Sequence, residues 1–207
     1  MKQKGLVYVF TGDGKGKTSA ALGVAVRAVC AGLKVGWIAW YKEASWKISE
    51  FRLPQFMPID FFVLGRGFYI QSAKSQVLSA KKAAQSSKIS EKQKTASLKG
   101  GGVVLDTATP EEHRKEAEKA LSKTEELLKQ EKYNVIVCDE ICNALSEKLL
   151  DWKKVKQMIE KRGKTHLVLT GRNATQELVE SADLVTQMQK VKHPYDLGNK
   201  AVKGLDF

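Results

Sequence analysis

Apolar residues fall in short runs along the chain, separated by segments long enough to hold a helix. Val7-Tyr8-Val9-Phe10, Val35 to Trp40, Ile59 to Leu64, Val135 to Cys138, Thr165 to Thr170 and Leu184 to Met188 read as strands. Between them, Ala20 to Ala31 carries a helical pattern, and Gly32 suits the position just past a helix end. Thr109-Pro110-Glu111-Glu112 starts a second helix: a Thr cap, Pro in the first position and acids in the first turn. It should run to about Glu131, bury Ala117, Ala120, Leu121, Leu127 and Leu128, and leave His113 facing solvent. Ile141 to Leu145 continues the run at 135. A helix over about Trp152–Lys161 and a short one near Thr175–Ser181 complete the set. Strands alternating with helix-length segments imply βαβ crossovers. The expected fold class is α/β, a mostly parallel sheet with helices on both faces.

Two stretches do not fit this alternation. Between Gln71 and Gly100 there are seven lysines, seven serines and one acid, Glu91, followed by Gly100-Gly101-Gly102. Helix propensity from Ser72 to Ser97 is fair, but no apolar stripe persists. Residues 71–108 read as a mobile insertion with the glycine triplet as a joint, in an otherwise single domain of 207 residues. The end of the chain, residues 190–207, is irregular yet rich in specific side chains and reads as a lid over a site.

Charge changes the picture little. About half of the formal excess of +12 sits in the lysine-rich stretch, which has no arginine and no aromatic residue. Surfaces that read bases favour both, so nucleic acid is not expected as a partner. No apolar run approaches the roughly twenty residues that cross a bilayer, and Leu6 to Phe10 is too short for a signal-peptide core. No membrane association and a cytoplasmic location are therefore expected. Cys30, Cys138 and Cys142 make no C-x-x-C pair and read as small buried hydrophobes in a reducing compartment.

The chemistry is concentrated where strands end. After Val7–Phe10 comes Thr11-Gly12-Asp13-Gly14-Lys15-Gly16-Lys17-Thr18-Ser19, a glycine-rich turn opening into a helix. Backbone N–H groups of such a turn converge on phosphate oxygens, and the helix N-terminus adds positive partial charge. Lys17 would meet the outer phosphates and Thr18 would ligate Mg2+. The usual G-x-x-x-x-G-K-[ST] spacing has glycine where this chain has Thr11, so Gly12 and Gly14 must make the turn. The run at 135 ends in Asp139-Glu140, carboxylates suited to stand beside a magnesium ion. Lys42 and Phe68 follow the second and third strands and fall on the same edge. Arg172, just past Thr170-Gly171, could hold phosphate or ribose.

These residues leave three classes open. A P-loop ATPase or kinase would need a base at the γ-phosphate, for which Asp139 is the one obvious candidate. A recombinase-like, nucleic-acid-binding ATPase would use the lysine-rich stretch. The third comes from a resemblance. Gly12-Asp13-Gly14-Lys15-Gly16-Lys17-Thr18-Ser19, Cys138-Asp139-Glu140-Ile141 and Thr170-Gly171-Arg172-Asn173 resemble the loop, strand end and T-G-R-G turn of P-loop type ATP:cob(I)alamin adenosyltransferases. So does the ending Val191-Lys192-His193-Pro194-Tyr195-Asp196-Leu197-Gly198, Lys200-Ala201, Gly204-Leu205-Asp206-Phe207, and ordinary P-loop NTPases have nothing like it.

The resemblance implies a P-loop NTPase-like sheet and transfer of the 5′-deoxyadenosyl group of ATP to cob(I)alamin or a related corrinoid, with release of triphosphate. It implies Gly12, Asp13, Gly14, Lys15, Gly16, Lys17, Thr18, Ser19 and Arg172 as the nucleotide site, and Lys17, Thr18 and Glu140 as catalytic. Magnesium would lie near Thr18, Glu140 and Asp139. Corrinoid contacts would come from Phe68, Ile70, Lys192 and His193. Phe68-Tyr69-Ile70 resembles the family's F-x-W segment, whose aromatics pack under the corrin, but Ile70 stands where tryptophan is expected. A homodimer and a flavodoxin-like reductase are further implications of the resemblance.

Overall fold

The computed structural model describes residues 4–67, 94–98, 102–106 and 108–206. Six strands form one parallel sheet: β1 (Val7–Thr11), β2 (Val35–Trp40), β3 (Ile59–Leu64), β6 (Val135–Asp139), β7 (His166–Thr170) and β8 (Leu184–Gln187). Their order across the sheet is β3-β2-β6-β7-β1-β8. All neighbouring pairs are parallel, with Val9 opposite Leu169 and Ala39 opposite Asp139. The sheet is covered on both sides, which is why its central strands are apolar at almost every position rather than alternating. Trp37, Ala39, Val135 and Val137 pack with Ala21, Ala25 and Ala28 of α1 (Lys17–Cys30) on one face. Ile38, Trp40, Ile136 and Cys138 pack on the other face with α3 (Pro110–Lys129), α4 (Ile141–Ser146) and α5 (Trp152–Glu160).

The helices begin and end where local chemistry directs. Small alanines at i, i+4 and i+7 let α1 lie close against the sheet. Gly32 follows its end at φ 74° and donates to the Val29 carbonyl. At the start of α3, Thr109 Oγ1 accepts from Glu112 N–H at 3.2 Å, and the Glu112 carboxylate accepts from Thr109 N–H at 2.7 Å. This is the capping box that the sequence announces. Short helical turns at Ser49–Arg52 and α2 (Leu53–Phe56) carry the chain from β2 to β3, and α6 (Gln176–Ser181) carries it from β7 to β8.

Four expectations need correction. His113 is 4% exposed. It stands one helical turn before Ala117, on the same stripe as Ala120, Leu121 and Thr124, so the helix period turns it inward. Cys30 is exposed, because α1 presents it opposite its alanine face; only Cys138 and Cys142 are buried. Ile141 to Leu145 turns into helix α4 instead of extending β6, because Glu140 takes a left-handed conformation (φ 73°) that ends the strand. Within 71–108, Lys94–Leu98 and Gly102–Asp106 pair antiparallel as β4 and β5, so Gly102 enters a strand rather than serving as a joint. Residues 71–93 and the rest of the triplet lie outside the described residues. Among those described, no helix is long and apolar enough to cross a membrane.

Candidate active site at the carboxyl edge of the sheet

In a parallel sheet the functional edge is where the strands' carboxyl ends meet. Here β1, β2, β6 and β7 deliver the phosphate loop, Lys42, Asp139-Glu140 and Thr170 to one place. Asp139, fully buried, is the hub. Its Oδ1 accepts from Thr18 Oγ1 at 3.0 Å and from Thr170 Oγ1 at 2.7 Å. Its Oδ2 accepts from Lys42 Nζ at 2.7 Å. Thr170 Oγ1 in turn accepts the Glu140 backbone N–H at 2.9 Å, pinning the left-handed residue next to the hub. Lys17 Nζ donates to the carbonyls of Gly12 (2.9 Å) and Gly14 (2.7 Å), within its own loop.

The electrostatics follow from burial. Burial lowers the Lys17 ammonium from its ordinary range, the nearby Arg172 charge adds to this, and Glu140 and Asp13 oppose it. For Lys42, burial works in the same direction, but the charge and hydrogen bond of Asp139 outweigh it and raise the group above its usual value. The Glu140 carboxyl is pushed up to about 7, first by burial and then by the charge of Asp139 beside it. One of its oxygens, Oε2, is buried without a hydrogen-bond partner among the described residues. The Cys138 thiol is raised to about 12 by burial and Cys142 is also raised, so both are inert as nucleophiles.

A second group of contacts sets the walls. Asn143, buried on α4, accepts the Arg172 backbone N–H at 2.6 Å through Oδ1. A Cβ on Gly171 would lie 2.7 Å from that oxygen, so glycine is needed for the turn to approach α4 so closely. The exposed Arg172 side chain starts from this fixed point. On the other side, the chain leaving β8 crosses the phosphate loop. Gly14 N–H donates to the Met188 carbonyl at 2.9 Å, and a Cβ on Gly12 would lie 2.3 Å from the same oxygen. The displaced glycines of the loop are thus explained by the backbone lying against them. Farther along, Lys15 Nζ donates to the Leu205 carbonyl at 2.8 Å and pairs with the Asp206 carboxylate. The end of the tail therefore touches the loop.

Thr18, Asp139 and Glu140 come together as the sequence suggests, with Lys17, Asp13 and Arg172 within electrostatic reach. Gly16 precedes α1 at φ 116°, and its carbonyl accepts from Ala20 N–H at 2.7 Å. Lys192 is exposed and His193 half-buried on the stretch leaving β8. Phe68 and Ile70 lie outside the described residues. The sequence reading did not single out Thr170 or Asn143. Thr170 stood in the quoted T-G-R-N turn, but its role depends on β7 lying beside β6, which only the sheet order reveals. Both carboxylate oxygens of Asp139 are engaged, which disfavours it as the base that the kinase reading needs.

Comparison with known proteins places the chain in a family. The profile of the family described as ATP:corrinoid adenosyltransferase BtuR/CobO/CobP matches residues 3–110 and 90–207. The chain is 32% identical to a corrinoid adenosyltransferase of a Sinorhizobium species, over 99% of this chain and 81% of that protein. It is 30% identical to a corrinoid adenosyltransferase of Pseudomonas aeruginosa, over 99% and 85%. To that of Escherichia coli K12 it is 27% identical, over 99% and 87%. With the parallel sheet and the loop at its carboxyl edge, these matches show that the chain belongs to the ATP:corrinoid adenosyltransferase family.

Proposed function

We propose that this chain carries out its family's adenosyl transfer by positioning and charge stabilisation, without a protein nucleophile. The reaction moves the 5′-deoxyadenosyl group of ATP to the cobalt of a corrinoid. The Co(I) centre of the substrate supplies the electron pair that forms the Co–C5′ bond. The C5′–O bond breaks and its electrons leave with triphosphate. Because the substrate is itself the nucleophile, the protein's task is to hold C5′ against cobalt and meet the charge developing on the leaving group. The observation that carries this reading is the Thr18–Asp139 hydrogen bond of 3.0 Å, which joins the phosphate loop to the acidic strand end.

In this reading Lys17 and the loop N–H groups from Gly12 to Ser19 hold the triphosphate, and Arg172 holds its outer oxygens or the ribose. Magnesium fits the donors present. Thr18 donates its proton to Asp139, which leaves the lone pairs of Oγ1 free, and Glu140 Oε2 is a buried oxygen without a partner among the described residues. Such hard oxygens suit this ion, which takes few protein ligands besides phosphates. Thr18 and Glu140 would hold it, with Asp139 behind them. When bound, it would neutralise charge on the triphosphate. Phe68, Ile70, Lys192 and His193 are assigned to the corrinoid side on the family pattern. The 71–108 insertion in a single domain, the lid role of 190–207, a homodimer, a flavodoxin-like electron donor and a cytoplasmic setting belong to the same reading.

The test is anaerobic incubation with MgATP, hydroxocobalamin and a strong chemical reductant. A light-sensitive adenosylcobalamin spectrum with equimolar triphosphate, lost in Lys17→Ala, is expected. ADP and phosphate with an unchanged corrin spectrum would overturn the reading.

A further inference from the structure

Lys42 is a buried ammonium that the adenosyl-transfer mechanism above does not use. It is 8% exposed and reaches Asp139 Oδ2 at 2.7 Å and Glu50 Oε1 at 3.8 Å, from the residue after the left-handed Tyr41 (φ 61°). The carboxylates Asp139, Glu140 and Glu50 therefore share one edge with three cations, Lys17, Lys42 and Arg172.

We propose that Lys42 is a positioning residue that stands as a resident cation on Asp139, so that Asp139 orients the Thr18 and Thr170 hydroxyls instead of binding a divalent ion. With Oδ2 held by Lys42, Oδ1 is left to the two hydroxyls, and each gives it its only proton. The Thr18 oxygen then turns its lone pairs away from Asp139, and Thr170 fixes the Glu140 backbone through the 2.9 Å contact with its N–H. Lys42 does a second thing. Without Lys42, the two adjacent buried carboxylates keep only the more distant Lys17 and Arg172 charges and would attract a divalent ion more strongly on their own; with Lys42 in place, the ion gains enough ligands only when phosphate oxygens arrive with it. The fold thus makes metal entry dependent on nucleotide.

This inference rests on the metal site assigned to Thr18 and Glu140, and one set of measurements separates the two. Mn2+ binding to the full chain is followed by the loss of the free-ion EPR signal, with and without ATP. The wild-type chain should take up Mn2+ strongly only when ATP is present, and Thr18→Val should weaken that uptake at least fivefold. Uptake unchanged in Thr18→Val removes the metal site and the inference with it. Given an intact site, Lys42→Gln should bind Mn2+ without nucleotide at least fivefold more tightly than wild type, and Lys42→Arg, which keeps the cation, should not. No gain in Lys42→Gln overturns the inference alone. Should Lys42→Gln fail to fold, Thr170→Val decides: it keeps the ion pair and removes only the hydroxyl link. It should raise the KM for Mn2+·ATP severalfold and change the Mn2+ line shape of the ATP complex, and an unaltered KM and line shape would overturn the proposal.

Discussion

Gly14 and Met188 are joined by a hydrogen bond of 2.9 Å, with the Gly14 N–H donating to the Met188 carbonyl. A Cβ on Gly14 would sit 2.7 Å from the carbonyl carbon of Gln189 and 2.9 Å from the Met188 oxygen. The phosphate loop and the chain leaving β8 are therefore packed backbone against backbone, and neither can shift alone. Gly14→Ala should destabilise the protein by roughly 2–3 kcal/mol and weaken ATP binding, since the clash is with main chain. Gly23→Ala is the control. It lies in α1 with nothing within 4 Å of the added Cβ, and should stabilise by about 0.5–1 kcal/mol. Denaturant unfolding reads both, and equal effects of the two substitutions would refute the packing argument.

Lys15 binds the tail through Leu205 and Asp206 with its side chain 43% exposed. A phosphate reaching the loop must share that ammonium with the Asp206 carboxylate. An exposed pair is worth about 0.2–1 kcal/mol, so Asp206→Asn should lower the KM for ATP by roughly two- to fivefold while leaving the melting temperature nearly unchanged. An unaltered or higher KM would show that the tail does not compete with phosphate.

The Glu140 carboxyl titrates near 7 instead of at its ordinary value of 4.5. The native protein therefore holds this proton more tightly than the unfolded chain does. Between about pH 4.5 and 7 the native state binds the extra proton, so stability falls as pH rises, and the full penalty applies above that window. A shift of this size corresponds to roughly 3 kcal/mol at most. Glu140→Gln should thus be more stable than wild type at pH 8 by roughly 1–3 kcal/mol, and the gain should vanish near pH 4.5. The comparison is made in chelator and without nucleotide. A variant no more stable than wild type at pH 8 contradicts the assignment.

Asn143 holds the turn from which Arg172 projects. Removing its Oδ1 leaves the Arg172 N–H without that acceptor, at about 1–3 kcal/mol. Asn143→Ala should lower stability by that amount and reduce kcat/KM for ATP, because Arg172 loses its fixed starting point. Retention of full activity would mean that Arg172 does not need the turn.

How much of this could be read from the sequence depends on the range of the interaction. Strand runs, the Thr109 cap and Gly32 are local, set by side-chain periodicity and backbone sterics, and they appear at the expected places. The loop, the Asp139-Glu140 strand end and the Thr170-Gly171-Arg172 turn are contiguous motifs, so the family and its reaction were legible too. His113 could have been read inward by extending the helix stripe one turn back from Ala117. The partners of Asp139 could not. Thr18, Lys42 and Thr170 lie 121, 97 and 31 residues from it, and they converge because the strands are ordered β2-β6-β7-β1. The crossing of Met188 over the loop and the grip of Lys15 on Asp206 likewise depend on the chain returning beside β1. Local patterning determined the elements and the chemistry they carry. Which charges meet, and which carboxylate oxygens are engaged, was decided by strand order, since buried charges must find partners wherever the sheet brings their strands together.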